Sequence, residues 1–186
     1  MTPPAATGPA HNDCRLAGDI VSDAETLSPA LPTELEKQTC LLLERACEAG
    51  VTLATAESCT GGLLASLLTD VPGVAHAFER GFVTYTDEAK ADMLGVPKEM
   101  LESEGAVSKP VAIAMAEGAL RNSNADIAVS ITGFADSGDE PGLVHFASAR
   151  TSQPTIHREA HFGPRGRGAT RVESLRVAVE MMLERL

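Results

Sequence analysis

The chain is predicted to be an α/β protein, a three-layer α/β/α sandwich with a mixed sheet in a single domain. Three observations carry this. Segments with apolar residues at helical spacing alternate with short apolar runs rich in β-branched residues. One such run, Asp126 to Thr132, is almost unbroken (Ile127, Ala128, Val129, Ile131), the pattern of a central strand buried on both faces. The segment Lys109 to Arg121 carries Ala112, Ala114, Ala116 and Ala119, so a helix there can pack closely on a sheet.

In chain order, residues 1–31 read as a disordered N-terminal tail. They show no apolar period, and Asp13, Asp19, Asp23 and Glu25 face a single Arg15. Such a stretch buries too little apolar surface to offset its ordering entropy. The domain then occupies residues 32–186. Thr33 and Glu36 form a capping-box pattern after Pro32, Leu35, Leu42, Leu43, Ala46 and Cys47 recur at helical spacing, and Gly50 fits the position after the helix end. Val51 to Ala56 reads as a buried strand, Ser58 to Asp70 as a second helix, and Phe78 to Tyr85 as another strand. Glu88–Leu94 and Lys98–Glu104 read as short helices, with Ser108 as N-cap of the helix at Lys109–Arg121. After the central strand, Leu143–Ala149 and Thr155–Phe162 are two more strands, and a last helix covers Ala169–Leu186.

Composition narrows the function. The 186 residues carry 15 Lys and Arg against 26 Asp and Glu, a net charge of −11, which disfavours general phosphate-backbone binding. With no Trp, one Tyr and five Phe, stacking platforms for single-stranded nucleic acid are not expected. No run approaches the roughly 18 apolar residues of a membrane span, so neither nucleic acid nor membrane is an expected partner. The four cysteines, Cys14, Cys40, Cys47 and Cys59, form no C-x-x-C pair, and no secretory signal is evident. Reduced thiols in a cytoplasmic protein are expected.

Chemistry concentrates in two stretches. The first, Thr55-Ala-Glu-Ser-Cys-Thr-Gly-Gly62, joins a predicted strand to a predicted helix. A hydroxyl at that junction sits over free helix N–H groups able to hold a phosphate or a developing oxyanion. Gly61 and Gly62 let a ligand approach the backbone; the alternative is that Ser58 is a plain N-cap and the glycines a packing contact. The second, Arg80 to Lys90, holds the single tyrosine, Tyr85, and Lys90 five residues later. A desolvated lysine can act as a base and a tyrosine can relay a proton, although most lysines are solvated. Arg150, Arg158, Arg165, Arg167, Arg171 and Arg176 form a basic run near the C-terminus; Arg167 and Arg171 share a helix face and suit a small phosphate. His157, Glu159 and His161 alternate on one face of a predicted strand, a spacing that can reach a metal, but they do not make the helical H-E-x-x-H motif.

Together, Thr55-Ala-Glu-Ser-Cys-Thr-Gly-Gly62, Phe78-Glu-Arg-Gly-Phe-Val-Thr-Tyr85, Glu88-Ala-Lys90 and Gly105-Ala-Val-Ser108 resemble the CinA C-terminal domain family over residues 33–186. The enzymatic members of that family are nicotinamide mononucleotide deamidases of pyridine-nucleotide salvage. The resemblance implies an amidohydrolase with Ser58 as nucleophile, Lys90 as its base and Tyr85 in the same hydrogen-bonded group. It implies substrate contacts from Glu57, Cys59, Thr60, Gly61, Gly62, Arg80, Ser108, Thr132, Gly133, Arg167 and Arg171. It further implies a small nucleotide substrate, a homodimer, and neither metal nor cofactor. The chain departs from the family pattern in two places. The loop Thr132 to Gly142 is short and carries Asp136, Asp139 and Glu140, and the segment before the last helix reads Gly163-Pro-Arg-Gly-Arg-Gly168, where spacing to Arg171 favours Arg167 over Arg165.

Overall fold

The computed structural model describes residues 31–186, so the expected tail lies outside the described residues, apart from Leu31, which is buried in the core. Two strands without a polar face organise the rest. Strand β1 (Leu53–Glu57) is buried at every position and β3 (Ile127–Gly133) at all but its last. Strands that cannot face water on either side belong in the sheet centre, and the order is β2-β1-β3-β4-β5. The edges are β2 (Phe78–Val83) and β5 (Gln153–His161), with β4 (Leu143–Arg150) between β3 and β5. Strands β2, β1 and β3 run parallel, while β3, β4 and β5 pair antiparallel, so the sheet is mixed as expected.

Helices cover both faces. On one, α1 (Thr33–Ala49), α2 (Leu63–Thr69) and α6 (Arg167–Leu183) contribute Leu42, Leu64 and Val179 to a cluster that includes Leu53, Val129 and Ile131. On the other, α3 (Asp87–Leu94), α4 (Lys98–Glu104) and α5 (Lys109–Arg121) pack Leu94, Leu101 and Met115 against Ala54, Ala56 and Ala128. The alanines of α5 meet Ala147 and Ala149 of β4, the close approach its composition predicts. At Gly118 an added Cβ would lie 2.0 Å from the Leu94 carbonyl oxygen, so α3 crosses α5 where no side chain fits.

Two sequence expectations are corrected. The capping box at Thr33 does not form: Pro32 is the N-cap, and its own carbonyl accepts from the Leu35 and Glu36 amides, closing the first turn one residue earlier. The second helix starts at Leu63 rather than Ser58, because Gly61 (φ 65°) and Gly62 (φ 92°) are left-handed and interrupt helical propagation. Residues 58–62 are therefore an open turn at the end of β1. Gly50 ends α1 in the left-handed conformation as expected.

Candidate active site

The turn after β1 is positioned by main-chain bonds on both sides. The Ser58 amide donates to the Ile131 carbonyl of β3 (2.9 Å), and the Thr84 amide just beyond β2 donates to the Glu57 carbonyl (2.8 Å). Ser58 thus leaves the carboxyl end of a central strand, where ligand crevices form in open α/β sheets.

Lys90 reaches this point from α3. It is 1% exposed, and its Nζ lies 3.2 Å from Ser58 Oγ, 3.1 Å from the Thr84 carbonyl and 3.4 Å from the Tyr85 carbonyl. Burial holds its pKa below the usual lysine value, against the opposing pull of Asp87. Among the described residues no carboxylate forms an ion pair with it. Nζ donates to both carbonyls and to Ser58 Oγ, so the hydroxyl oxygen and the amine are within proton-transfer reach. Cys59, the neighbouring thiol, is pushed up to about 11 by burial, so it stays protonated at neutral pH and Ser58 is the group that can attack.

Glu57 has a different place from the one expected of a substrate contact. Its buried carboxylate accepts from the amides of Gly62 (3.1 Å), Leu64 (3.0 Å) and Ala65 (2.8 Å). It caps α2 from inside the sheet and occupies the amides that Ser58 was expected to overlook. The amides of Cys59 and Thr60 meet no acceptor on another described residue, and they follow Ser58 directly.

Arg171 of α6 holds this turn from behind, its Nε donating to the Cys59 carbonyl at 2.8 Å; a Cβ on Gly61 would stand 3.7 Å from its guanidinium. Tyr85 contributes its carbonyl to Lys90. Its ring is 63% exposed at the cleft mouth, and its hydroxyl has no bond to Ser58 or Lys90.

A cleft of about 230 Å³ opens over Ser58 and Lys90. Cys59, Thr132, Gly133 and Arg167 line it with the loop Phe134–Ser137 and with Ala106 and Val107. Thr132 Oγ1 donates to the Ala106 carbonyl (2.7 Å), tying β3 to that wall. Gly133 is needed for packing, since a Cβ there would be 2.7 Å from the Leu143 carbonyl oxygen. Arg167 stands 4.0 Å from Asp136 of the acidic loop. Arg165 turns away to the Phe162 carbonyl and Glu173, whereas Arg167 lines the cleft.

Two expected contacts make their bonds elsewhere. Arg80 sits opposite Ala54, toward the start of β1, and binds Glu79 and the Asn122 carbonyl. Ser108 opens α5 with its hydroxyl on the Gly105 carbonyl. The buried Thr60 hydroxyl has no partner among the described residues. Sequence reasoning missed the carbonyls of Thr84 and Tyr85 and the Ala106–Val107 wall, for which main-chain geometry leaves no residue-type signal. A second hollow between α3 and α4, about 200 Å³, is lined by Asp87, Glu88, Lys98, Leu101 and Glu102 and holds no nucleophile.

Comparison with known proteins places this geometry in context. Residues 35–186 match the family described as CinA C-terminal domain. A protein of Escherichia coli K12 named nicotinamide-nucleotide amidohydrolase PncC is 52% identical over 118 residues, covering 61% of this chain and 72% of that protein. A CinA-like protein of Akkermansia muciniphila is 50% identical over 119 residues, 64% of this chain but only 28% of its own length, so the chain spans under a third of that longer relative. Among solved structures, the competence/damage inducible protein CihA from Agrobacterium tumefaciens is 41% identical with a TM-score of 0.80, covering 83% of this chain and 96% of that one. A CinA superfamily protein from Escherichia coli aligns at 32% identity and TM-score 0.77 over 88% of this chain and 100% of that one.

Proposed function

The chain belongs to the CinA C-terminal domain family, and on that premise we propose that it is an amidohydrolase that deamidates nicotinamide mononucleotide to nicotinic acid mononucleotide and ammonia. The observation that carries this is the 3.2 Å approach of Ser58 Oγ to a buried lysine amine that forms no ion pair among the described residues. The name of the Escherichia coli relative supplies the substrate class.

In this reading the Ser58 hydroxyl transfers its proton to Lys90 Nζ as Oγ bonds to the carboxamide carbon. The carbonyl oxygen gains negative charge beside the Cys59 and Thr60 amides. The Lys90 ammonium then protonates the leaving nitrogen, the C–N bond breaks, and ammonia departs, leaving an ester on Ser58. Lys90, neutral again, takes a proton from water as it attacks that ester, and the acid and the free hydroxyl are restored. Arg167 faces the substrate phosphate from the cleft rim. Tyr85 closes the mouth over the ring. A homodimer belongs to the same proposal, with Val83 and Met93 as exposed apolar side chains.

The test is ammonia release from nicotinamide mononucleotide by the full chain. Release that disappears in Ser58→Ala supports the proposal; a silent wild-type protein beside an active family member overturns it. The Asp136 carboxylate near Arg167 favours a second reading, an amide substrate without a phosphate. Faster turnover of nicotinamide riboside than of the mononucleotide in the same assay identifies it.

A further inference from the structure

Away from the Ser58–Lys90 pair, the antiparallel register of β4 and β5 assembles a second group of functional side chains. His145 lies opposite Glu159 and His157 opposite Ala147, so alternation sends His145, His157 and Glu159 to one face of the sheet. It is the α5 face, because Ala147 packs on Ala112 and Ala116 and Thr155 bonds Glu117 of α5. The two imidazoles stack with centroids 5.4 Å apart and an interplanar angle of 28°. His145 Nδ1 lies 3.2 Å from His157 Nε2 and 3.4 Å from Glu159 Oε2, and one ligand atom from each residue falls within 4.8 Å of the others.

These spacings match a coordination polyhedron. A tetrahedral zinc with bonds of roughly 2.0–2.1 Å separates its ligand atoms by about 3.3–3.4 Å. Two of the three edges already have that length. The third closes by a rotation of Glu159, whose side chain is 44% exposed. The outer shell is also present. Glu159 Oε1 is held 2.8 Å from His161 Nε2, and His161 Nδ1 lies 2.5 Å from Glu140, so the carboxylate is oriented from outside with Oε2 turned toward His145.

We propose that His145, His157 and Glu159 bind one borderline divalent transition-metal ion of the zinc class, with water in the fourth position. Two imidazoles and a single carboxylate suit zinc, whereas calcium and magnesium need mostly oxygen ligands. The ion staples the β4–β5 edge of the sheet. The sequence pattern pointed to His157, Glu159 and His161; folding replaces His161 by His145, a partner twelve residues before His157 that only strand register reveals. The site is one strand away from Thr132 of the cleft, which pairs with His145, and it stands independently of the amidohydrolase reading.

The test is calorimetric titration of the metal-stripped full chain with zinc chloride, with cobalt(II) as an optical probe of tetrahedral coordination. Wild type is expected to take up one ion with a rise in melting temperature. His157→Ala and Glu159→Gln, both at solvent-reached positions, are expected to weaken binding at least about 100-fold with unchanged far-ultraviolet circular dichroism, and His161→Ala about 10-fold. Cys47→Ser is the control for the Cys47–His76 contact and is expected to change nothing. Zinc affinity equal in wild type and the His157→Ala/Glu159→Gln double variant, or lost in Cys47→Ser, overturns the proposal.

Discussion

On the floor of the cleft Lys90 is 1% exposed and its amine meets two carbonyls and a hydroxyl, while on the rim Arg167 stands in solvent 4.0 Å from the Asp136 carboxylate. Both are cationic residue types, yet their surroundings give them opposite properties. On the floor, desolvation lowers the lysine pKa, and the pull of Asp87 offsets this only in part. On the rim, water and salt screen the pair to about 0–1 kcal/mol. In the proposed reaction the floor sets whether chemistry occurs, and the rim sets which substrate stays. Changes on the floor therefore act on kcat, and changes on the rim act on KM and on its salt dependence.

The largest expected effect is that of Ser58→Ala, which removes the attacking atom. Ammonia release falls by about 10³-fold or more while the thermal midpoint stays near wild type. Lys90→Met comes next. Turnover falls comparably, but stability is equal or higher at neutral pH, because a buried amine is replaced by an apolar chain of similar length. The sign with pH follows from linkage. Lys90 has its folded pKa below the unfolded value of 10.5, so the unfolded chain binds more protons between the two values. Wild-type stability therefore rises relative to Lys90→Met as pH climbs through that window, and wild-type kcat/KM rises in the same direction. Chemical denaturation of both proteins across the alkaline range checks it.

Glu57→Gln probes the support beneath the floor. Loss of a carboxylate bonded to three amides destabilises by about 2 kcal/mol, measured as a lower denaturation midpoint, with turnover reduced through a displaced Ser58 turn. Asp136→Asn is the smallest. Freed of its neighbour, Arg167 binds the phosphate better, and KM for the mononucleotide drops about threefold at low salt with kcat unchanged, an effect that fades in high salt.

The same contrast governs what could be read from sequence. Buried periodic elements were legible: the run at Ile127–Ile131 is the central strand, and the helices at Lys98–Glu104 and Lys109–Arg121 have the predicted limits. Ser58 and Lys90 were legible as candidates because a hydroxyl beside paired glycines and a lysine near a strand end carry residue-type signals. Their contact was implied only by the family resemblance, since residue types alone do not show the crossover that brings α3 back over β1. Glu57 was visible only as a motif member; its role in capping α2 arises from the left-handed glycines that delay the helix. Arg80 shows the converse. It lies in a motif near Lys90 in the chain but toward the opposite end of the sheet, since a strand separates by about 3.3 Å per residue what sequence places together.

The dyad itself is tested most directly by covalent labelling with a serine-directed fluorophosphonate, read by intact-protein and peptide mass spectrometry across pH. The geometry predicts one adduct, on Ser58, formed faster as pH rises through the depressed lysine pKa and abolished in Lys90→Met. An adduct on another residue, or labelling of Ser58 at the same rate in Lys90→Met, contradicts it.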